Sequence, residues 1–205
     1  MYSQSNEEQI ILDYFKDFKG TFIDIGSNDG KTFSNTYALS KLDWCGVLIE
    51  PSPRAFAKLK QLYEETKGCF YLYNYALGIA NKKVTLYESG ELVHQGDVGL
   101  VSTLVEKETE RFKRITSYEP IQVDCYRWKT ALNRWKIKKF DFISLDIESM
   151  DIPVLKQIDL SDTKLICMEW NSIEETRKQM LEYTSKFGID NVIYTSAENI
   201  IVCRK

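Results

Sequence analysis

Apolar positions along the chain switch repeatedly between two spacings. Over Glu7–Phe18 (EEQIILDYFKDF) they recur every three to four residues, the period of an amphipathic helix, and Gly20 stops the pattern. Thr21–Gly26 (TFIDIG) is a short β-rich run closed by the turn-forming Ser27-Asn28-Asp29-Gly30. The pattern then predicts a helix over Thr36–Leu42 and a continuous apolar strand over Cys45–Pro51. A helix over Pro53–Glu65 follows, with a proline in its first turn, and then a strand over Cys69–Leu77. Strands that are apolar throughout are buried on both faces. Separated by helices, they predict a parallel sheet with right-handed crossovers and helices on either side.

After Leu77 the rhythm breaks. Lys82–Glu88 (KKVTLYE) alternates like an exposed antiparallel strand, and Ser89–Thr103 is a glycine-containing loop that carries His94. Glu106–Arg114 is dense in charge and reads as a solvated helix face. Alternation resumes with a strand at Ile121–Cys125, a helix over Tyr126–Trp135, a strand at Phe140–Ile147, a further helix, a strand at Lys164–Trp170 and a helix at Glu174–Phe187. The segments NVIYTS and NIIVCR flank a short turn and predict a terminal hairpin. With no repeat, low-complexity tract or linker, residues 1–205 read as one α/β domain. Residues 1–20 form a leading helix, and 80–120 an insertion or lid over one edge or over the site.

Composition narrows the function classes. A chain of 205 residues with 43% hydrophobic and 28% charged side chains is a folded, water-compatible domain. Its net charge of -3 supplies no global positive field for nonspecific nucleic-acid binding, so no nucleic-acid partner is expected. No apolar run approaches the ~20 residues of a membrane span. The opening MYSQSNEEQI has neither a basic nor an apolar signal region, which reads as cytoplasmic. The 5 cysteines are scattered without a CxxC pair and read as reduced, and the single histidine argues against zinc.

In parallel α/β sheets ligands bind where strands end. The first strand ends in Asp24-Ile25-Gly26-Ser27-Asn28-Asp29-Gly30. The dinucleotide pattern GxGxxG fails at Asn28, and Gly26-Ser27-Asn28-Asp29-Gly30-Lys31-Thr32 is one residue short of a phosphate loop, with an acid that would face phosphate. S-adenosylmethionine carries an ammonium, a sulfonium and a ribose diol but no phosphate, and an acid beside a glycine turn suits it. The second strand ends in Glu50, where an acid can accept both ribose hydroxyls or favour the dipole of the following helix. Asp24 and Glu50 together favour an adenosyl ligand over a phosphate.

On these residues the chain resembles the FkbM-type family of S-adenosylmethionine-dependent methyltransferases. FIDIGSNDG is similar to that family's cofactor loop, and GVLIEPSPRAFAKL to its ribose-acid strand and helix. Asn74-Tyr75-Ala76-Leu77-Gly78 resembles the segment beside the adenine, GLVSTL the serine-containing segment after the insertion, and FDFISLDIESMDIPVL the family's most specific block. Ser149 departs from it, standing where the family usually has glycine, and this bears on the geometry of that turn. The resemblance implies a class I methyltransferase (Rossmann-like) fold, with a mostly parallel seven-stranded sheet and an antiparallel C-terminal hairpin. It places Asp24, Gly26, Ser27, Asn28, Gly30, Glu50, Pro51, Ser52, Asn74 and Ala76 around the cofactor. It also implies O-methylation of a sugar or natural-product hydroxyl, with a small-molecule or glycan acceptor. A phosphate-loop-like nucleotide phosphotransferase and a non-catalytic module with a retained nucleoside pocket are the alternatives.

Deprotonating an aliphatic hydroxyl calls for a base or a metal. Asp146 ends the fourth core strand, with Glu148 two residues on, and Glu169 and Asn171 end the next. Adjacent strand ends lie ~5 Å apart, so these side chains can converge. Asp146, Glu169 and His94 are the candidates for acid–base work. Asp146, Glu169 and Asn171 are the candidate oxygen ligands for Mg²⁺, or Glu169 and Asn171 merely cap the following helix.

Overall fold

The computed structural model describes residues 1–92 and 99–205. Seven strands form the main sheet: β1 (Thr21–Ile25), β2 (Cys45–Ile49), β3 (Cys69–Tyr73), β7 (Phe142–Leu145), β8 (Leu165–Glu169), β9 (Ile189–Thr195) and β10 (Asn199–Arg204). Their order is β3-β2-β1-β7-β8-β10-β9, parallel from β3 to β8, with β10 antiparallel to both β8 and β9. The expected five parallel strands and closing hairpin are present.

Successive residues on each strand serve opposite cores, because side chains alternate across a pleated strand. Phe22, Leu48, Phe142 and Leu165 pack with Ile11 and Phe15 of α1 (Glu7–Phe15), Leu39 of α2 (Tyr37–Ser40) and Leu59 and Tyr63 of α3 (Pro53–Glu64). Their neighbours Ile23, Val47, Ile143 and Ile166 join Ala131 of a helix at Trp128–Arg134, Val154 and Leu155 of one at Asp151–Leu155, and Met180 of one at Glu174–Thr184. In α3 the apolar residues Ala55, Leu59 and Tyr63 fall on one buried face. Pro53 fits the first turn, and the Ser52 hydroxyl caps it by accepting the Ala55 N–H at 3.1 Å.

Among the boundaries that differ from expectation, three have a clear local cause. The leading helix stops at Phe15 because Lys16 turns left-handed (φ 50), leaving Phe18 to stack against Phe15. The strand expected over Cys69–Leu77 splits. The Asn74 amide donates to the carbonyls of Glu50 and Pro51 (2.8 and 3.1 Å) at the sheet edge, and β4 (Ala76–Leu77) leaves to join a second sheet. That sheet has the order β4-β6-β5, with β5 at Lys82–Ser89 and β6 at Tyr118–Tyr126 paired antiparallel along their length. Because Tyr126 ends β6, the helix expected over Tyr126–Trp135 begins only at Trp128 (α5, after a short α4 at Thr109–Phe112). The last two helices are α6 (Asp151–Leu155) and α7 (Glu174–Thr184). No helix among the described residues is long and apolar enough to cross a membrane.

Candidate functional site

From β1 the chain builds the sheet outward through β2 and β3, then returns to start β7 on β1's other flank. This reversal of direction opens a crevice at the carboxyl ends of the strands. A cavity of about 510 Å³ lies there, of the size that holds a small-molecule ligand. Asp24, Gly26, Ser27 and Asn28 line it from the loop after β1, Glu50 and Pro51 from β2's end, and Ala76 from β4. Asp146 and Glu148 follow β7, and Glu169 and Asn171 close β8.

Gly26 has φ +89, and a Cβ there would sit 1.8 Å from the Asp146 carbonyl oxygen. Glycine is thus required by the contact between the two loops. The N–H groups of Gly26 and Ser27 both donate to the Ile49 carbonyl at 3.0 Å, tying this loop to β2. The Asn28 and Ser52 N–H groups donate to the two oxygens of Glu50 at 2.8 and 2.7 Å. The carboxyl group is therefore fixed in direction, and each oxygen keeps a second lone pair for a ribose hydroxyl. Burial pushes Glu50 up to about 8 against the pull of those two N–H groups. Asp24, opposite Ser144 in the β1–β7 register, accepts the Thr36 hydroxyl at 2.6 Å, and burial raises it to about 7. Beside them Asn35 donates to Ser144 at 3.4 Å while its Oδ1 is buried without a hydrogen-bond partner.

Three residues expected around the cofactor do other work. Gly30 (φ +79) is pressed against Leu59 of α3 and does not line the cavity. The Ser52 hydroxyl caps α3 and donates to Glu88. Asn74 holds the β2 end through its two carbonyl contacts. The phosphate-loop alternative meets a specific obstacle. Asp29 takes the N–H groups of Lys31 and Thr32 (2.8 and 2.7 Å) and the Thr32 hydroxyl, so donors that would cradle a phosphate are already used.

The wall at the ends of β7 and β8 is acidic. Leu145 and Met168 are register partners, so Asp146 and Glu169 emerge side by side. Asp146, Glu148 and Glu169 each bring a carboxylate oxygen within 4.8 Å of the others. Burial pushes Asp146 up to about 6 and Glu148 to about 8, and holds Glu169 well above the usual carboxylate range. Arg111 Nη1 lies 3.9 Å from Glu148. Asn171 lines the cavity beside Glu169, and Glu148 joins Asp146 and Glu169 as the third acid of the cluster. His94 lies outside the described residues.

Sequence reasoning did not assign roles to Thr36, Asn35, Ser144, Glu148 or Arg111. Ser144 shares the face of Phe142 and sits beside Asp24, a signal that needs the strand register rather than the sequence alone. The segment read as a solvated helix face brings Arg111 and Phe112 to the cavity instead.

A sequence profile of the methyltransferase FkbM domain matches residues 24–191. No curated protein sequence matches the chain. Among solved structures, a Pyrococcus horikoshii protein described as an RNA methyltransferase is 12% identical, with 97% of this chain and 80% of that one covered and a TM-score of 0.51. Monomeric WbdD is 10% identical at a TM-score of 0.50, and the alignment covers 98% of this chain but only 41% of that one. At such identities the likeness is one of fold, the mostly parallel seven-stranded Rossmann-like sheet of class I methyltransferases.

Proposed function

The chain belongs to the FkbM methyltransferase family and is an S-adenosylmethionine-dependent methyltransferase, and from that premise we propose that it methylates a hydroxyl of a small-molecule or glycan acceptor. The carrying observation is that Asp24, Glu50 and Asp146, on three neighbouring strand ends, line one cavity.

Bound S-adenosylmethionine supplies an activated methyl group on its sulfonium. Glu50, aimed by the Asn28 and Ser52 N–H groups, receives the ribose hydroxyls. Asp24 and the unpartnered Asn35 Oδ1 offer acceptors for the ammonium of the methionine moiety. Asp146, at about 6 the least raised of the three facing acids, is charged at neutral pH and accepts the acceptor's hydroxyl proton. Glu169, whose buried Oε2 has no hydrogen-bond partner, orients the hydroxyl. Phe33 and Phe112 at the cavity supply apolar surface for a ring.

Calorimetric titration with S-adenosylhomocysteine tests the cofactor half. The parent binds, and Glu50→Ala, losing hydrogen bonds to a carboxylate worth about 1.5–3 kcal/mol, binds roughly tenfold to a hundredfold more weakly. Equal binding by both proteins, or none by the parent, overturns the reading.

A further inference from the structure

We propose that Asp146, Glu148 and Glu169 form a binding site for one hard divalent cation, of the Mg²⁺, Mn²⁺ or Ca²⁺ class, on the acidic wall of the cavity. The site stands on its own geometry; its catalytic use rests on the methyltransferase reading.

The distances fit. Oxygens bound to one such ion at about 2.0–2.6 Å lie no more than roughly 5 Å apart, and these three lie within 4.8 Å of one another. The donor set is all oxygen, which selects hard cations over zinc. A second observation is independent of the clustering. Glu169 is only 9% exposed, lines the cavity, and its Oε2 is buried with no hydrogen-bond partner. Buried carboxylate oxygens are ordinarily satisfied, so this atom lacks a partner that a cation would provide. Arg111 does not meet the need: it reaches only Glu148, at 3.9 Å, and its side chain is 40% exposed.

The backbone holds the acids in place. The Asp146 N–H donates to Ile25 at 3.0 Å, and the Glu148 carbonyl accepts the Thr103 hydroxyl at 2.9 Å. Three protein oxygens leave the remaining positions open to the cavity, for water and an acceptor oxygen. A cation there would acidify an acceptor hydroxyl and so assist Asp146.

The test uses the full chain freed of metal by a chelator. MnCl₂ is titrated at pH 7.5 with free Mn²⁺ read by electron paramagnetic resonance, and melting temperatures are recorded with and without Mn²⁺. One Mn²⁺ per chain, displaced by excess MgCl₂, is expected, with Glu148→Gln and Glu169→Gln each weakening it at least tenfold. Removing one of three facing acids also raises the melting temperature of metal-free Glu169→Gln above the parent's, while the rise on adding Mn²⁺ disappears. That opposite movement separates a ligand from a residue needed only for folding. No Mn²⁺ bound by a parent that binds S-adenosylhomocysteine overturns the cation site and leaves the methyltransferase reading intact. Equal Mn²⁺ affinity in parent and variants overturns it too, as does stabilisation by spermidine but not by Mn²⁺, which assigns the cluster to a cationic acceptor. Mn²⁺ bound without S-adenosylhomocysteine supports the site and removes the cofactor reading.

Discussion

Ser149 holds a left-handed backbone position (φ +78) next to Glu148 (φ +46), the conformation that glycine adopts freely and that costs a side-chain-bearing residue about 1–2 kcal/mol. The turn keeps its glycine-type geometry despite the serine. Ser149→Gly is therefore expected to stabilise the protein by about 1 kcal/mol, read as a higher urea midpoint at unchanged slope. Gly26 presents the reverse case. Alanine there places a methyl group 1.8 Å from the Asp146 carbonyl oxygen, so the two loops must part. A loss of about 3 kcal/mol or more and loss of S-adenosylhomocysteine binding are expected, measured by denaturant unfolding and calorimetry. Gly26 and Gly30 were legible in the sequence as turn glycines, but their causes were not. The requirement at Gly26 comes from a backbone oxygen 120 residues further along the chain, and the one at Gly30 from Leu59, so neither reports a ligand directly. That Asp24 and Glu50 line the cavity was legible because strand ends are where such sheets open a crevice.

At the scale of elements, hydrophobic period identified every strand of the main sheet and failed where side-chain contacts decide. A single apolar run, Cys69–Leu77, serves two sheets because Asn74 is spent on the Glu50 and Pro51 carbonyls. The charged run around Arg111 looked solvated since sequence shows charge but not which cavity it borders. The inserted sheet is tied to the cofactor side through Glu88. Glu88 is buried on β5 and accepts from the Ser52 hydroxyl and from Arg54 of α3. Ser52 in turn aims Glu50 through its N–H. Glu88→Ala is expected to cost about 1–2 kcal/mol, below the figure for a fully buried pair because Arg54 is half exposed. It should also weaken S-adenosylhomocysteine binding, though Glu88 itself does not line the cavity. Thermal melting and calorimetry on the same variant check this coupling; a variant destabilised but binding at parental affinity would show that the tie holds the insertion alone.

For the molecule as a whole, the formal charge of -3 counts every carboxylate as ionised, and the fold does not keep them so. Burial raises Asp24 to about 7, Asp146 to about 6, Glu50, Glu148 and Asp151 to about 8, and Glu169 well above its ordinary value. In the unfolded chain these groups titrate near 4. Between about pH 4 and about pH 8 the folded state thus binds more protons than the unfolded state, and the linkage relation makes stability fall as pH rises through that window. The melting temperature of the ligand-free protein is expected to decline steadily from about pH 5 to about pH 8. The decline should be shallower in Glu148→Gln and Glu169→Gln, each of which removes one group that must otherwise ionise while buried. Such a slope is a property of the assembled cavity, since no pair of these acids is close enough in sequence, apart from the Asp146–Glu148–Asp151 run, to signal it beforehand. A melting temperature flat across this range would mean that the acids are hydrated or paired in solution, and would remove the physical basis for an acidic wall poised to take a proton.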